Sequence, residues 1–274
     1  MHNYTDTDGR LKEAVAFVRS IADTVPEISL VLGSGLGVVA DEVEGFTLPY
    51  ADIPHFPVST APSHVGSLRI GTLHGRRVVV MQGRVHMYEG YDAATVAFPQ
   101  RVMAALGAPV AIFTNAAGGI GPRFQVGDIV LIEDHFSIAM AAGFDPLRGP
   151  KGSGERFLSM NRAYDPALML LVRRHFPDIG QATYGHNVGP TFEPPAFVRF
   201  LASAGCGLVG MSTVPEVLAA RHMGQRVLAL SAVTNIAVQD VADPHVTNEA
   251  EVWEAAKIVV PRMREILATI LPTM

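Results

Sequence analysis

The densest set of reactive side chains lies in Gln82-Gly83-Arg84-Val85-His86-Met87-Tyr88-Glu89-Gly90-Tyr91. It follows an apolar run, and Arg84, His86 and Tyr88 alternate at period two, so on an extended backbone they share one face. Arginine offers a two-pronged fork for phosphate, and histidine is a donor that switches near neutral pH. Glu89 is placed to orient His86, as carboxylates orient imidazoles elsewhere. The competing reading is a solvated strand end with an aromatic plug.

Other loops carry chemistry in the same style. Gly33-Ser34-Gly35-Leu36-Gly37 follows a β-branched run, and its glycines let backbone N–H groups approach an anion while Ser34 adds a hydroxyl. It is neither a dinucleotide fingerprint nor a P-loop. Pro49, Pro54, Pro57 and Pro62 stiffen a segment ending at His64, which reads as a flap with little regular structure. Thr191-Phe192-Glu193-Pro194 sets a carboxylate beside an aromatic ring, fit either to read a purine or to start a helix. In Val209-Gly210-Met211-Ser212-Thr213-Val214-Pro215-Glu216, Ser212 or Thr213 caps a helix. Thr234-Asn235 ends an apolar run, and a buried amide there needs partners that a ligand supplies. His-Glu-x-x-His and paired cysteines are absent, which argues against a zinc site; the spacing of a serine-hydrolase elbow is absent too.

The elements that must position these loops are short strands alternating with amphipathic stretches. Strands are expected at Ile28–Leu32, Leu68–Thr72, Arg77–Gln82, Val110–Thr114, Asp128–Glu133, Ala182–Val188 and Arg226–Thr234, with a turn at His74-Gly75 between the second and third. Helices are expected at Ala93–Leu106, stopped by Gly107 and Pro109, and at Pro166–His175, Ala196–Ala204 and Pro215–His222. A last helix starts at Asn248, with Glu251 completing a capping box, and Pro261 should kink or divide it. This alternation predicts an α/β fold, with either a parallel or a mixed sheet.

The 274 residues are 49% hydrophobic and 17% charged, ordinary globular composition. No linker, repeat or low-complexity tract divides them. A formal net charge of −5 without a basic stripe argues against a nucleic-acid partner, so an anionic substrate needs a local basic pocket. Cys206 is the only cysteine, so no intrachain disulfide forms. With no signal-peptide pattern and no long apolar run, a cytoplasmic protein without a membrane partner is expected.

Six of these segments, in order, resemble the trimeric, low-molecular-mass purine nucleoside phosphorylase family: Gly33–Gly37, Gly83–Gly90, Thr114–Gly119, Gly189–Glu193, Val209–Glu216 and Thr234-Asn235. The resemblance runs from about Val31 to about Lys257. It implies one α/β domain over residues 1–274, with a central mixed β-sheet flanked by helices, and a homotrimer with active sites near the subunit interfaces. It places phosphate against Ser34, His64, Arg84, His86 and Ala116, with Ser212 nearby. It places the ribose among Tyr88, His86 and Met211, with Phe157 laid over the sugar by a neighbouring subunit, and the base against Ala117, Gly118, Phe192, Glu193 and Asn235. His86, Glu193 and Asn235 are the implied catalytic set. No metal or organic cofactor is implied; inorganic phosphate is a co-substrate.

The implied reaction is reversible phosphorolysis of 6-oxopurine nucleosides such as inosine and guanosine, with Glu193 accepting N1–H and Asn235 donating to N7 or O6. A methylthioadenosine or adenosine phosphorylase would want Asp where Asn235 stands. A xanthosine-preferring member stays open, with Asn187 near the base-reading loop. A nucleoside-binding protein without catalysis would have lost the phosphate set, which is present. The chain also departs from the family: where members commonly carry a histidine that meets the ribose 5′-hydroxyl, a gapless count from Asn235 gives Glu249. Either Glu249 accepts that hydrogen bond or merely complements the helix dipole, or His245 supplies the imidazole.

Overall fold

A computed structural model of the chain describes residues 7–60, 65–148 and 154–274. Helix α1 (Thr7–Ile21) precedes strand β1 (Ile28–Leu32); β2 (Glu44–Pro49), β3 (Ser67–Leu73) and β4 (Arg76–Gln82) follow. Then come α2 (Ala93–Ala105), β5 (Val110–Gly119), β6 (Ile129–Ser137), α3 (Pro166–His175), β7 (Gly180–His186), α4 (Pro195–Ser203), β8 (Cys206–Gly210), α5 (Val214–His222), β9 (Arg226–Ile236) and α6 (Glu249–Ile270).

The nine strands form one mixed sheet in the order β2-β3-β4-β1-β5-β8-β7-β6-β9. β5 also pairs with β9, so β5, β8, β7, β6 and β9 close into a ring. Of the two arrangements open from sequence, the mixed sheet is the one found. β4, β1, β5 and β9 run parallel to one another, so their C-terminal ends lie along one edge. β8 runs antiparallel to β5 with Val209 opposite Gly118, which carries Met211 and Ser212 back along the same edge.

Both faces of the sheet are covered, which explains the unbroken apolar runs. Val31, Val79 and Phe113 point into a core shared with Val18 of α1, Val102 of α2 and Val217 of α5. Their neighbours Leu30, Val80 and Ile112 point into a second core with Leu168 of α3 and Met263 of α6. The hairpin between β3 and β4 turns at His74 and Gly75, both at positive φ (48° and 81°), as tight hairpin turns require.

Several expected boundaries shift. β5 continues through Asn115–Gly119 rather than ending at Thr114, because those small residues pair along β9. The proline-rich stretch is no free flap in its first half: Tyr50, Ile53 and Phe56 are buried in the core, and the Tyr50 hydroxyl donates to the Gly83 carbonyl at 2.7 Å. α6 runs on through Pro261 instead of dividing. Pro261 and Lys257, whose carbonyl loses its i+4 donor, both lie on the exposed face.

The turn after β1 depends on a close backbone approach. A Cβ on Gly33 would stand 2.7 Å from Asn115 Cα and 2.8 Å from the Thr114 carbonyl, both main-chain atoms that cannot swing aside. Gly33→Ala should therefore destabilise the protein by about 1–3 kcal/mol, as overpacking does. Urea unfolding checks this, and an unchanged midpoint would refute the close-approach argument.

Candidate active site

A cavity of about 420 Å³ opens at the shared C-terminal edge. Its walls are Ser34 after β1, Arg84, His86 and Tyr88 after β4, Ala116–Gly118 of β5, Phe192 and Glu193, Met211 and Ser212 after β8, Asn235 of β9, and Glu249 and Trp253 of α6. Nearly all the residues singled out from sequence thus meet in one place. His64 lies outside the described residues. Phe157 is 85% exposed and does not line the cavity of its own chain. His245 does not line the cavity, and its ring stands 3.3 Å from Glu251. Of the two candidates for the sugar's 5′ side, the cavity keeps Glu249.

Arg84 is 1% exposed and its fork faces inward. Nη1 donates to Ser212 Oγ (2.9 Å) and Thr213 Oγ1 (3.0 Å), and Nη2 donates to the Thr114 carbonyl (2.7 Å). Nε stands 3.4 Å from Glu216 Oε1, and Glu216 is 2% exposed. Nη1 is fully engaged, while the second Nη2 proton and the Nε proton make no hydrogen bond, Nε facing Glu216 as an ion pair only. Ser212 Oγ accepts from Arg84 Nη1, which leaves its own proton to donate.

The network around this pair crosses the sheet. Glu216 Oε2 accepts from the Thr213 amide (2.9 Å), holding Thr213 at φ 75°, a costly conformation for a β-branched residue. Asn115 Nδ2 donates to Thr213 Oγ1 (2.9 Å), and Ser231 Oγ of β9 donates to Asn115 Oδ1 (2.7 Å). Thr114 Oγ1 accepts from the Gly33 amide (3.2 Å) and donates to the Val31 carbonyl (3.1 Å). Of these, Thr114 and Glu216 carried no distinct sequence signal beyond membership in their segments, and Thr213 was marked only as a candidate cap of α5, whose N-cap it is.

His86 stacks on Tyr88, with centroids 4.5 Å apart and planes within 13°. Burial, together with the nearby Arg84 charge, lowers the His86 pKa despite the adjacent Glu89, so the ring is neutral at neutral pH. Its Nδ1 lies 3.2 Å from Glu89 Oε1, which assigns the proton to Nδ1 and makes Nε2 an acceptor. Burial opposes ionisation of Glu89, but hydrogen bonds from His86 and Thr60 outweigh it and hold the carboxyl at about 2. Thr60 donates to it from both its hydroxyl (2.7 Å) and its amide (2.5 Å), so the far end of the proline-rich segment is fastened here. Burial pushes the Tyr88 phenol up to about 12, with Glu89 and Glu249 adding to the effect.

On the opposite wall, Thr234 Oγ1 donates to Asn235 Oδ1 (3.3 Å). That makes the Asn235 Nδ2 end, beside Gly118, the donor toward the cavity. Glu193 Oε1 accepts from Asn187 Nδ2 at 3.0 Å. The first turn of α6 closes the third side. Asn248 caps it, its side chain accepting from the Ala250 amide at 2.9 Å, and Gly35 packs against Ala256 and Val252. Val252 and Trp253, which no sequence motif marked, face the cavity because they share one helix face with Glu249.

A half-open cavity with a buried arginine and hydroxyls on one side and a carboxylate and an amide on the other suits a ligand with an anionic part and a polar, flat part. Comparison with known proteins agrees with this class. The model of the phosphorylase superfamily matches residues 27–272. Purine nucleoside phosphorylase 1 of Bacillus subtilis is 45% identical over 256 residues, 90% of this chain and 93% of its own. The Bos taurus purine nucleoside phosphorylase is 39% identical over 279 residues, 98% of this chain and 96% of its own. Schistosoma mansoni purine nucleoside phosphorylase, solved with inosine, superposes with a TM-score of 0.92 at 39% identity, covering 97% of each chain. The same protein solved with adenosine gives 0.92 at 40% identity, covering 97% of this chain and 98% of that one. The chain belongs to the purine nucleoside phosphorylases of the phosphorylase superfamily.

Two measurements check the electrostatics. Glu216→Ala leaves Arg84 charged and buried without its counter-ion, and should cost about 3–5 kcal/mol in urea unfolding; a loss below about 1 kcal/mol would show that the pair is not what holds this edge. His186, 2% exposed and bonded to Ser137 Oγ at 2.9 Å, is pushed down to about 4, by burial first and by His135 second. It stays neutral in the folded state while the unfolded chain takes up its proton below about 6.5. Stability should therefore fall as pH drops from about 6.5 toward 4, by on the order of 3 kcal/mol from this group alone. His186→Gln should flatten that part of the pH–stability curve, and an unaltered slope would contradict the assignment.

Proposed function

We propose that this chain catalyses reversible phosphorolysis of 6-oxopurine ribo- and deoxyribonucleosides such as inosine and guanosine, giving the free base and the pentose 1-phosphate. The observation that carries this reading is the single cavity that joins Ser34, Arg84, His86 and Ser212 to Glu193 and Asn235. The named relatives support it. Phosphate fits among Ser34, His86, Ser212 and the Ala116 amide, with His64 as a further partner and Arg84 supplying charge from behind. Neutral His86 Nε2 accepts the proton that a phosphate dianion still carries, or that of a sugar hydroxyl. Tyr88 and Met211 border the ribose.

The chemistry asks for positioning and charge stabilisation. The glycosidic bond stretches first and leaves positive charge on the sugar; phosphate below C1′ stabilises that charge and captures it. The leaving purine gathers negative charge, and the Asn235 donor bond to N7 or O6 strengthens as it does so, which raises the rate and not only the binding. Glu193 accepts the N1–H of a 6-oxopurine, with Phe192, Ala117 and Gly118 around the ring. We take neither a metal nor an organic cofactor into the reaction.

The reading extends to assembly. Phe157 is an almost fully exposed aromatic that does not reach its own cavity, and a homotrimer in which it covers a neighbour's sugar gives it a partner. Glu249, facing the cavity from α6, is our candidate for the 5′-hydroxyl. Among the described residues no helix is long and apolar enough to cross a membrane.

Base choice tests the reading. Adenosine presents a lone pair at N1 to the Glu193 carboxylate, so even where it occupies the site its turnover should fall below that of inosine by on the order of a hundredfold or more. Asn235→Asp should narrow the gap by supplying a proton for N7. Release of free base from inosine, guanosine and adenosine, with and without phosphate, measures this. Equal wild-type turnover of adenosine and inosine, or cleavage that ignores phosphate, would refute it.

A further inference from the structure

We propose that Asn187 is a positioning residue that fixes the Glu193 carboxylate, and that it makes the site select purines carrying hydrogen or an amino group at C2 over 2-oxopurines. The inference rests on the purine nucleoside reading above and names the substrate class within it.

Asn187 follows β7 directly, and its amide donates to the Gly210 carbonyl at 2.9 Å, so its backbone belongs to the sheet edge. Its side chain reaches across the loop that carries the base-facing residues. Nδ2 donates to the Thr191 carbonyl (3.2 Å) and to Glu193 Oε1 (3.0 Å). Both partners are acceptors only, so the orientation of the amide is fixed by chemistry. An amide nitrogen has two protons, and here each has a partner. The loop is also held from below: a Cβ on Gly189, at φ 74°, would stand 2.4 Å from Met211 Sδ. Glu193 is thus fastened through Oε1 to a residue anchored in the sheet, and Oε2 is the oxygen that meets N1–H.

This arrangement decides what the C2 position tolerates. A carboxylate opposite N1 spans the neighbouring C2 substituent with its other oxygen. A 2-amino group donates to that oxygen's second lone pair, and a hydrogen at C2 asks for nothing. A 2-oxo group sets acceptor against acceptor, and Asn187 has no proton left to offer it. An unpaired acceptor facing a carboxylate is among the stronger grounds for rejecting a substrate.

The experiment compares wild type, Asn187→Ala and the isosteric Asn187→Asp, which replaces the amide's protons with a second carboxylate. It measures kcat and KM for inosine, guanosine and xanthosine, the phosphate KM, hypoxanthine binding by calorimetry, and urea unfolding as a check on folding. For wild type, kcat/KM for xanthosine should lie at least tenfold below that for inosine, a result that needs no variant. Asn187→Ala should lower kcat/KM for inosine about tenfold and weaken hypoxanthine binding to match, leave the phosphate KM within about twofold, and narrow the inosine-to-xanthosine ratio. Asn187→Asp should lower inosine turnover further than Ala does. Wild-type xanthosine turnover equal to that of inosine, or an Asn187→Ala enzyme within twofold of wild type on inosine, overturns the inference while leaving phosphorolysis intact. A wild-type protein that neither cleaves inosine nor binds hypoxanthine overturns the functional reading itself.

Discussion

A guanidinium and a carboxylate buried to within 2% of full enclosure hold the edge of the sheet together. Taking two charges out of water is costly, and the arrangement persists only because almost every lone pair and proton around it is engaged. Arg84 reaches Ser212, Thr213 and Thr114; Glu216 reaches back to the Thr213 amide. The loops after β1, β4 and β8 and the strands β5 and β9 therefore answer to one ion pair. The strained backbone at Thr213 is held by the same contacts, and it aims Ser212 into the cavity.

The site has walls of different stiffness. Its anion side consists of strand ends and buried polar groups, with His86 kept neutral by burial and oriented by Glu89. The wall carrying Glu193 is a loop, fixed by side-chain bonds such as that between Asn187 and Glu193. Its third side is a helix end, held by a cap and by the contact of Gly35 with Ala256. A group that must stabilise developing charge gains from rigid support, because its orientation then costs nothing during the reaction.

The fold was legible where burial is two-sided. Ile28–Leu32 and Arg77–Gln82 read as strands because a strand covered on both faces needs an unbroken apolar run, and both runs are too short for a core helix. Ala116–Gly119 look like a turn in sequence; they are strand because β9 and β8 lie beside them, a fact of tertiary pairing that no local pattern holds. β2 is mostly exposed, and its apolar residues Phe46 and Leu48 are too few to mark a strand by alternation. α1 carries Leu11, Ala14, Val15 and Val18 at helical spacing and was open to a periodicity argument, though it bears no reactive residue. In the site, residue types and segments told which side chains gather. They did not tell which N–H groups of Arg84 point inward, or that His245 turns to Glu251, because those depend on distances of a few ångströms between loops far apart in the chain.

The ring closed by β5 and β9 also bears on how the chain is made. Strand β5 begins at Val110, but the neighbour that lies along almost all of its length begins only at Arg226. A ribosome releases the chain from its N-terminus, so the first half emerges with the hydrogen-bonding edge of β5 unsatisfied, and it waits through more than a hundred residues of synthesis. Asn235 and the cap of α6 arrive later still. The cavity thus takes shape only once β9 has been made, and a nascent chain that stops short of Arg226 has the loops of Ser34, Arg84 and Ser212 without the strand that aligns them.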